Sequence, residues 1–158
     1  MADEPGIQAV IAGFFAAFDN RDRAPDGADL RALLTDDARI RQVTPDGVRT
    51  MDVDAFLAPR LALLSGRLQA FHEWPTTGYT DRHGSVASHV CRYAKEGLLD
   101  GAPYAGTGWK AFQLVRNRRT TSVPSVRPSI STIGFPCRQP CGTPKLGLLP
   151  RLRGVPAC

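Results

Sequence analysis

The sequence predicts an α+β protein with helices packed on one face of an antiparallel sheet. Three observations carry this. Apolar residues recur at helical spacing through the first 64 residues, and from Arg67 onward the pattern changes to long alternating stretches. Every one of the 15 acidic residues also lies before Arg116, which marks the folded body off from a basic C-terminal stretch of different composition.

Ile7, Val10, Ile11, Phe14 and Phe18 form one stripe, so a helix is expected over about residues 5–20, with Asp3, Glu4 and Pro5 suited to its first turn. Asn20-Arg21-Asp22 and Pro25-Asp26-Gly27 make a polar break. Leu30, Leu33 and Leu34 predict a short second helix ending around Asp36-Asp37. Residues 38–44 alternate and read as a strand, closed by a Pro45-Asp46-Gly47 turn. Asp52 is placed to cap a third helix carrying Val53, Phe56 and Leu57; Pro59 should break or restart it before Leu61, Leu63 and Leu64 carry it to Ser65-Gly66. Strands are expected over 68–79, with a bulge or bend at Pro75, then over 85–94 after an Arg82-His83-Gly84 turn, and over 107–116 after a connection at 97–106.

The body, residues 1–116, holds 13 basic and 15 acidic groups, whereas the 42 residues after it hold seven basic residues, seven prolines and three of the four cysteines. The formal net charge of +5 is thus an average of two unlike pieces. No apolar run is long enough to span a bilayer, and the acidic N-terminus lacks the features of a secretory signal, so a cytoplasmic protein with no membrane partner is expected. Cys91 alone in the body rules out an internal disulfide framework, and Cys137, Cys141 and Cys158 lack the partners of a zinc site. Neither a metal nor a cofactor is expected.

The text Phe71-His72-Glu73-Trp74, then His83-Gly84, Arg92-Tyr93-Ala94-Lys95 and the run Gly106 to Arg116 ending in Phe112-Gln113-Leu114-Val115-Arg116, resembles the nuclear-transport-factor-2-like superfamily. Its polyketide-cyclase-like (SnoaL-like) and ketosteroid-isomerase-like bacterial members of unknown function are the nearer comparison. The resemblance covers about residues 5–116. It implies a cone-shaped, curved antiparallel sheet packed on three N-terminal helices, an open-ended pocket for a small hydrophobic ligand, and a homodimer formed through the outer sheet face if the domain is complete. Members with this text continue into a final strand that pairs with the first; here the chain reads Asn117-Arg118-Arg119-Thr120-Thr121, so that strand is expected to be missing or replaced.

Residues 117–158 therefore read as a basic, Pro-rich tail with three explanations: an out-of-frame translation, which is preferred; a genuine disordered appendage; or an arm for nucleic acid. The last is not favoured, because Phe135 is the tail's one aromatic residue and stacking platforms need more. Ser129 to Ile133 has β-forming alternation and is the candidate for the vacant strand position, although Pro128 and Pro136 bracket it too closely for a full strand.

For chemistry, His72 and His89 are the general-base candidates, since imidazole titrates near neutral pH. His72 and Trp74 share one strand face, and His89, Cys91 and Tyr93 another; Trp109 and Gln113 would line an adjoining wall of the pocket. Glu73 alternates away from His72, so no dyad is expected, and His83 belongs to a solvated turn. The resemblance to ketosteroid isomerases does not extend to their helix-one Tyr, because Phe14, Phe15 and Phe18 cannot donate a hydrogen bond. The expected function is small-molecule binding, with lyase, isomerase or hydrolase chemistry on a hydrophobic substrate. The alternatives are a non-catalytic dimerisation or binding module and a defective, frameshifted product.

Overall fold

A computed structural model describes the backbone of residues 4–117 and 125–132, with side chains from Gly6 to Arg116. In order, the elements are α1 (Glu4–Ala16), α2 (Ala28–Leu33), β1 (Ile40–Thr44), β2 (Gly47–Met51), α3 (Val53–Leu64), β3 (Leu68–His83), β4 (Val86–Leu99), β5 (Ala102–Asn117) and β6 (Ser125–Thr132). The strands form one curved sheet in the order β2-β1-β6-β5-β4-β3, antiparallel except for the parallel β1–β6 pair. Three helices on one sheet face give the α+β layout that the spacing predicts.

The core lies between α1 and the inner face of the sheet. Phe14 and Phe112 are completely buried and meet edge-on at 5.1 Å, Phe14 also meets Phe18 at 5.5 Å, and Phe18 meets Phe56 of α3 at 6.0 Å. Edge-to-face packing sets the positive ring edge against the negative face of its neighbour, and burial of each large side chain contributes about 1.5–3 kcal/mol. Asn20 ties the layers together. Its Nδ2 donates to the carbonyls of Leu64 (2.9 Å) and Leu68 (2.7 Å), and its Oδ1 accepts from Phe71 N at 2.6 Å. One side chain thus joins the end of α3, the start of β3 and the segment after α1.

Several local expectations change. Pro59 neither breaks nor restarts α3, which runs through it from the Asp52 cap, whose side chain accepts from Ala55 N at 2.8 Å. Packing of Phe56, Leu57 and Leu64 into the core holds the helix despite the donor that proline lacks. The stretch 97–106 is no open connection: β4 and β5 pair down to Leu99 and Ala102, leaving a two-residue loop in which Asp100 (φ 52°) and Gly101 (φ 80°) both have positive φ. That is the type I′ hairpin signature of Asp-Gly. A strand at Gly47–Met51 was unexpected because all of it but Met51 is exposed, which removes the apolar alternation.

β3 carries two register breaks. One falls between Pro75 and Thr77, where the proline predicts it, and the other between Gln69 and His72, where Ala70 has a φ of 48°. Gly97 faces the second break. A Cβ there would lie 2.9 Å from the Gln69 carbonyl oxygen and 3.0 Å from Phe71 Cα, so backbone fills the space a side chain would need.

The place of the closing strand is taken by β6. It pairs with β5 from Ala111↔Ser131 to Asn117↔Ser125 and with β1 at Arg41↔Ser131 and Gln42↔Thr132. The segment begins earlier than alternation at Ser129 implies and includes Pro128, opposite Leu114. Since β1 pairs only at Ser131 and Thr132, the stretch around the proline has one partner strand, the situation in which a missing donor is tolerated. Cys137, Cys141, Cys158, Phe135 and the remaining tail prolines, except Pro128, lie outside the described residues. Among the described residues, no helix is long and apolar enough to cross a membrane.

Candidate functional site

Two charged side chains are buried in the inner face of the sheet. Lys110 of β5 is 6 % exposed, and its Nζ donates to Glu73 Oε1 of β3 at 2.7 Å. Strand alternation explains how both come to point inward. Phe112 and Leu114 commit alternate residues of β5 to the core, and Phe71 does the same for β3, so Lys110 and Glu73 follow in phase. Burial drives the Lys110 ammonium below its usual pKa, and the adjacent Glu73 carboxylate opposes that shift.

Aromatic rings complete the shell of the ammonium. Lys110 Nζ lies 4.1 Å from the centroid of Tyr93, 4.5 Å from Phe15 and 5.0 Å from Phe14. Ring faces carry partial negative charge and so replace some of the lost hydration. Gly108, directly across from Tyr93, makes this geometry possible: a Cβ there would lie 2.7 Å from the Tyr93 ring and 2.8 Å from its hydroxyl.

This pair forms part of the wall of a cavity of about 360 Å³ between the sheet, α3 and β1. Phe18, Phe56, Leu63, Leu64, Leu68 and Phe71 make its apolar lining; Gln42, Thr44, Tyr93 and Tyr104 add polar groups; and Arg60 and Lys95 bring two further cations. Arg60 Nη1 donates to the Phe56 carbonyl at 2.8 Å, and its guanidinium lies 3.7 Å over the Phe56 ring. Burial lowers its pKa, with the charge of Glu73 acting the other way. Lys95 Nζ stands 5.0 Å from the Tyr104 ring centroid.

The residues singled out in the sequence divide between the two sheet faces. Tyr93 lines the cavity. His89 and Cys91 share its face but sit in the packed core beyond the cavity lining, His89 with Nδ1 2.8 Å from Thr80 Oγ1 and its ring beside Phe112 at 6.0 Å. Cys91 is completely buried, and burial pushes its thiol up to about 11, so it is neutral at physiological pH. His72 and Trp74 stand on the opposite, outer face, stacked at 4.7 Å, with His72 Nε2 3.5 Å from Glu96 Oε1. Trp109, 41 % exposed, and Gln113, which accepts from Ser88 Oγ at 2.9 Å, lie on that outer face too. The two imidazoles therefore do not converge.

Alternation shows which residues share a face; which face is inner depends on long-range pairing. Glu73 and Lys110 were missed for this reason, being 37 residues apart in sequence. The signal available was the phase that Lys110 shares with Phe112 and Leu114. Among the described residues, no cluster of His, Cys, Asp and Glu has the geometry to hold a metal ion.

No family model matches the sequence, and no curated protein does either. Solved structures do match in shape. A conserved protein from Planctomyces limnophilus DSM 3776 superposes with a TM-score of 0.67 at 17% identity, over 84% of this chain and 94% of its own. The Kfla4162 protein from Kribbella flavida gives 0.65 at 17% identity, over 84% and 90%. An NTF2-like protein with a cystatin-like fold from Novosphingobium aromaticivorans gives 0.63 at 14% identity, over 89% and 84%. The chain has the nuclear-transport-factor-2-like cone fold.

Proposed function

We propose that the protein binds a small, largely apolar molecule in the cavity, and that Glu73, held by Lys110, is the group able to move a proton there. The observation that carries this reading is the buried ion pair in the cavity wall. Burying two charges costs several kcal/mol of hydration that an apolar pair would not, so such a pair in a concave wall points to a use beyond packing. The cavity volume falls within the range of about 300–1,000 Å³ common for ligand sites. Structures of similar shape include a candidate dehydratase of the NTF2-like family from Streptomyces avermitilis and a candidate ketosteroid isomerase from Shewanella frigidimarina. Lyase, isomerase or hydrolase chemistry is compatible with an acid–base carboxylate; the shared fold adds analogy alone. A fluorescence titration with 2-naphthol tests the binding. Saturable one-to-one binding is expected in the parent and its loss in Leu63→Trp, which fills the cavity. No binding in the parent, or equal binding in the variant, overturns the reading.

The outer face supports a second, compatible reading, a homodimer. Trp74, Tyr79 and Trp109 are respectively 36, 66 and 41 % exposed on that one surface. Exposed aromatics gathered on one sheet face are the composition of an interface core. Light scattering should give twice the chain mass, and Trp109→Glu should return it to one; a monomeric parent refutes the idea.

A further inference from the structure

We propose that the cavity's ligand is an organic anion, an aromatic or alicyclic carboxylate whose acid group is received by Arg60. This rests on the reading that the cavity binds a small apolar molecule, and it adds the charge and the contact point. The lining contains three cations, Arg60, Lys95 and Lys110, against a single carboxylate, Glu73. Glu73 is committed to Lys110 at 2.7 Å. Among the described residues no acidic side chain comes within ion-pair distance of Arg60.

Arg60 is also held ready for such a partner. One nitrogen is tied to the Phe56 carbonyl and the plane lies on the Phe56 ring, which fixes the side chain before any ligand arrives. Its Nε and Nη2 make no hydrogen bond to the described residues. A guanidinium edge with two free, parallel N–H groups matches the two oxygens of a carboxylate. The bland explanation, a side chain capping its own helix, uses one of five donors and leaves unexplained why the guanidinium borders a cavity. The rings of Phe18, Phe56, Phe71 and Tyr104 favour a flat or cyclic body.

The test compares 2-naphthoate with 2-naphthamide and 2-naphthylmethylammonium, which share a ring system and differ in charge, by calorimetric titration of the full chain at neutral pH. The carboxylate is expected to bind at least ten times more tightly than the amide, with the ammonium weakest. In Arg60→Met the carboxylate's advantage should fall below threefold while amide binding persists. Equal binding of acid and amide by the parent overturns the anion assignment and leaves the cavity reading standing. Binding of none of the three removes both. An acid preference that survives in Arg60→Met overturns the placement at Arg60. If that variant does not fold, the parent's ranking of acid, amide and ammonium still decides the charge of the ligand.

Discussion

Lys110→Met should lose about 3–5 kcal/mol of folding stability, the largest effect expected of any single polar substitution in the molecule. The change removes the cation but leaves Glu73 in the inner face of the sheet, where its side chain is 8 % exposed and has lost its ammonium partner. The aromatic ring faces of Phe14, Phe15 and Tyr93, which favour a cation, then offer a carboxylate nothing. The paired change Glu73→Leu with Lys110→Met should restore stability to within about 1 kcal/mol of the parent, because two apolar side chains of similar size carry no desolvation cost. Urea unfolding of the parent and the two variants measures this directly. A single variant that loses less than about 1 kcal/mol would show that water reaches the pair. If the double variant keeps its stability but no longer binds 2-naphthol or 2-naphthoate, the pair serves the ligand and is dispensable to the fold.

Ending the chain at Asn117 should abolish cooperative unfolding altogether. In the strand order β2-β1-β6-β5-β4-β3, the hairpin of β1 and β2 reaches the rest of the sheet through β6. Without β6, the backbone of β5 from Ala111 to Asn117 loses its partner on that side, and donors and acceptors along the run must find water. The hairpin carries Ile40 and Met51, which are 0 and 9 % exposed, so the core opens where they leave it. A two-stranded hairpin is marginal on its own in water. Thermal unfolding followed by circular dichroism should change from a sharp transition in the full chain to a broad drift in the shortened one. A sharp transition at an unchanged midpoint would mean that the pairing of β6 contributes nothing to stability.

Legibility in the sequence followed the range of the interactions. The three helices could be read because apolar stripes, such as Ile7, Val10, Ile11, Phe14 and Phe18 for the first, report their partners through spacing within a few turns. The bend near Pro75 was equally local, since the ring itself removes the donor. The Asp100-Gly101 turn was legible in principle, but Gly97 and Gly106 around it gave the stretch the composition of a loop. β2 was hidden because its outward residues lack apolar contrast. The candidate site was the least legible part. Trp74 and Trp109 carry the most apolar surface of their strands and yet face outward, while the charged Glu73 and Lys110 face inward. Each is tolerable there only because the other arrives from a distant strand, and no window along the chain contains both. The role of Ser125–Thr132 was obscured for the same reason: its qualification as a strand lies in the vacancy between β1 and β5 more than in its own residues.

The two register breaks in β3 also have a practical meaning for redesign. Between the breaks, odd-numbered residues such as Phe71 and Glu73 face inward; after the one at Thr76, even-numbered ones such as Gly78 and Thr80 do, as their pairing with Cys91 and His89 requires. A library aimed at altering what the cavity accepts should therefore vary positions 71 and 73 on this strand and leave 78 and 80 untouched. Adding or deleting one residue between the breaks would exchange the two walls of the lower strand, carrying an indole into the chamber and a carboxylate out of it. The strand thus behaves as separately indexed panels, and the one between the breaks is the one to retool for a new guest.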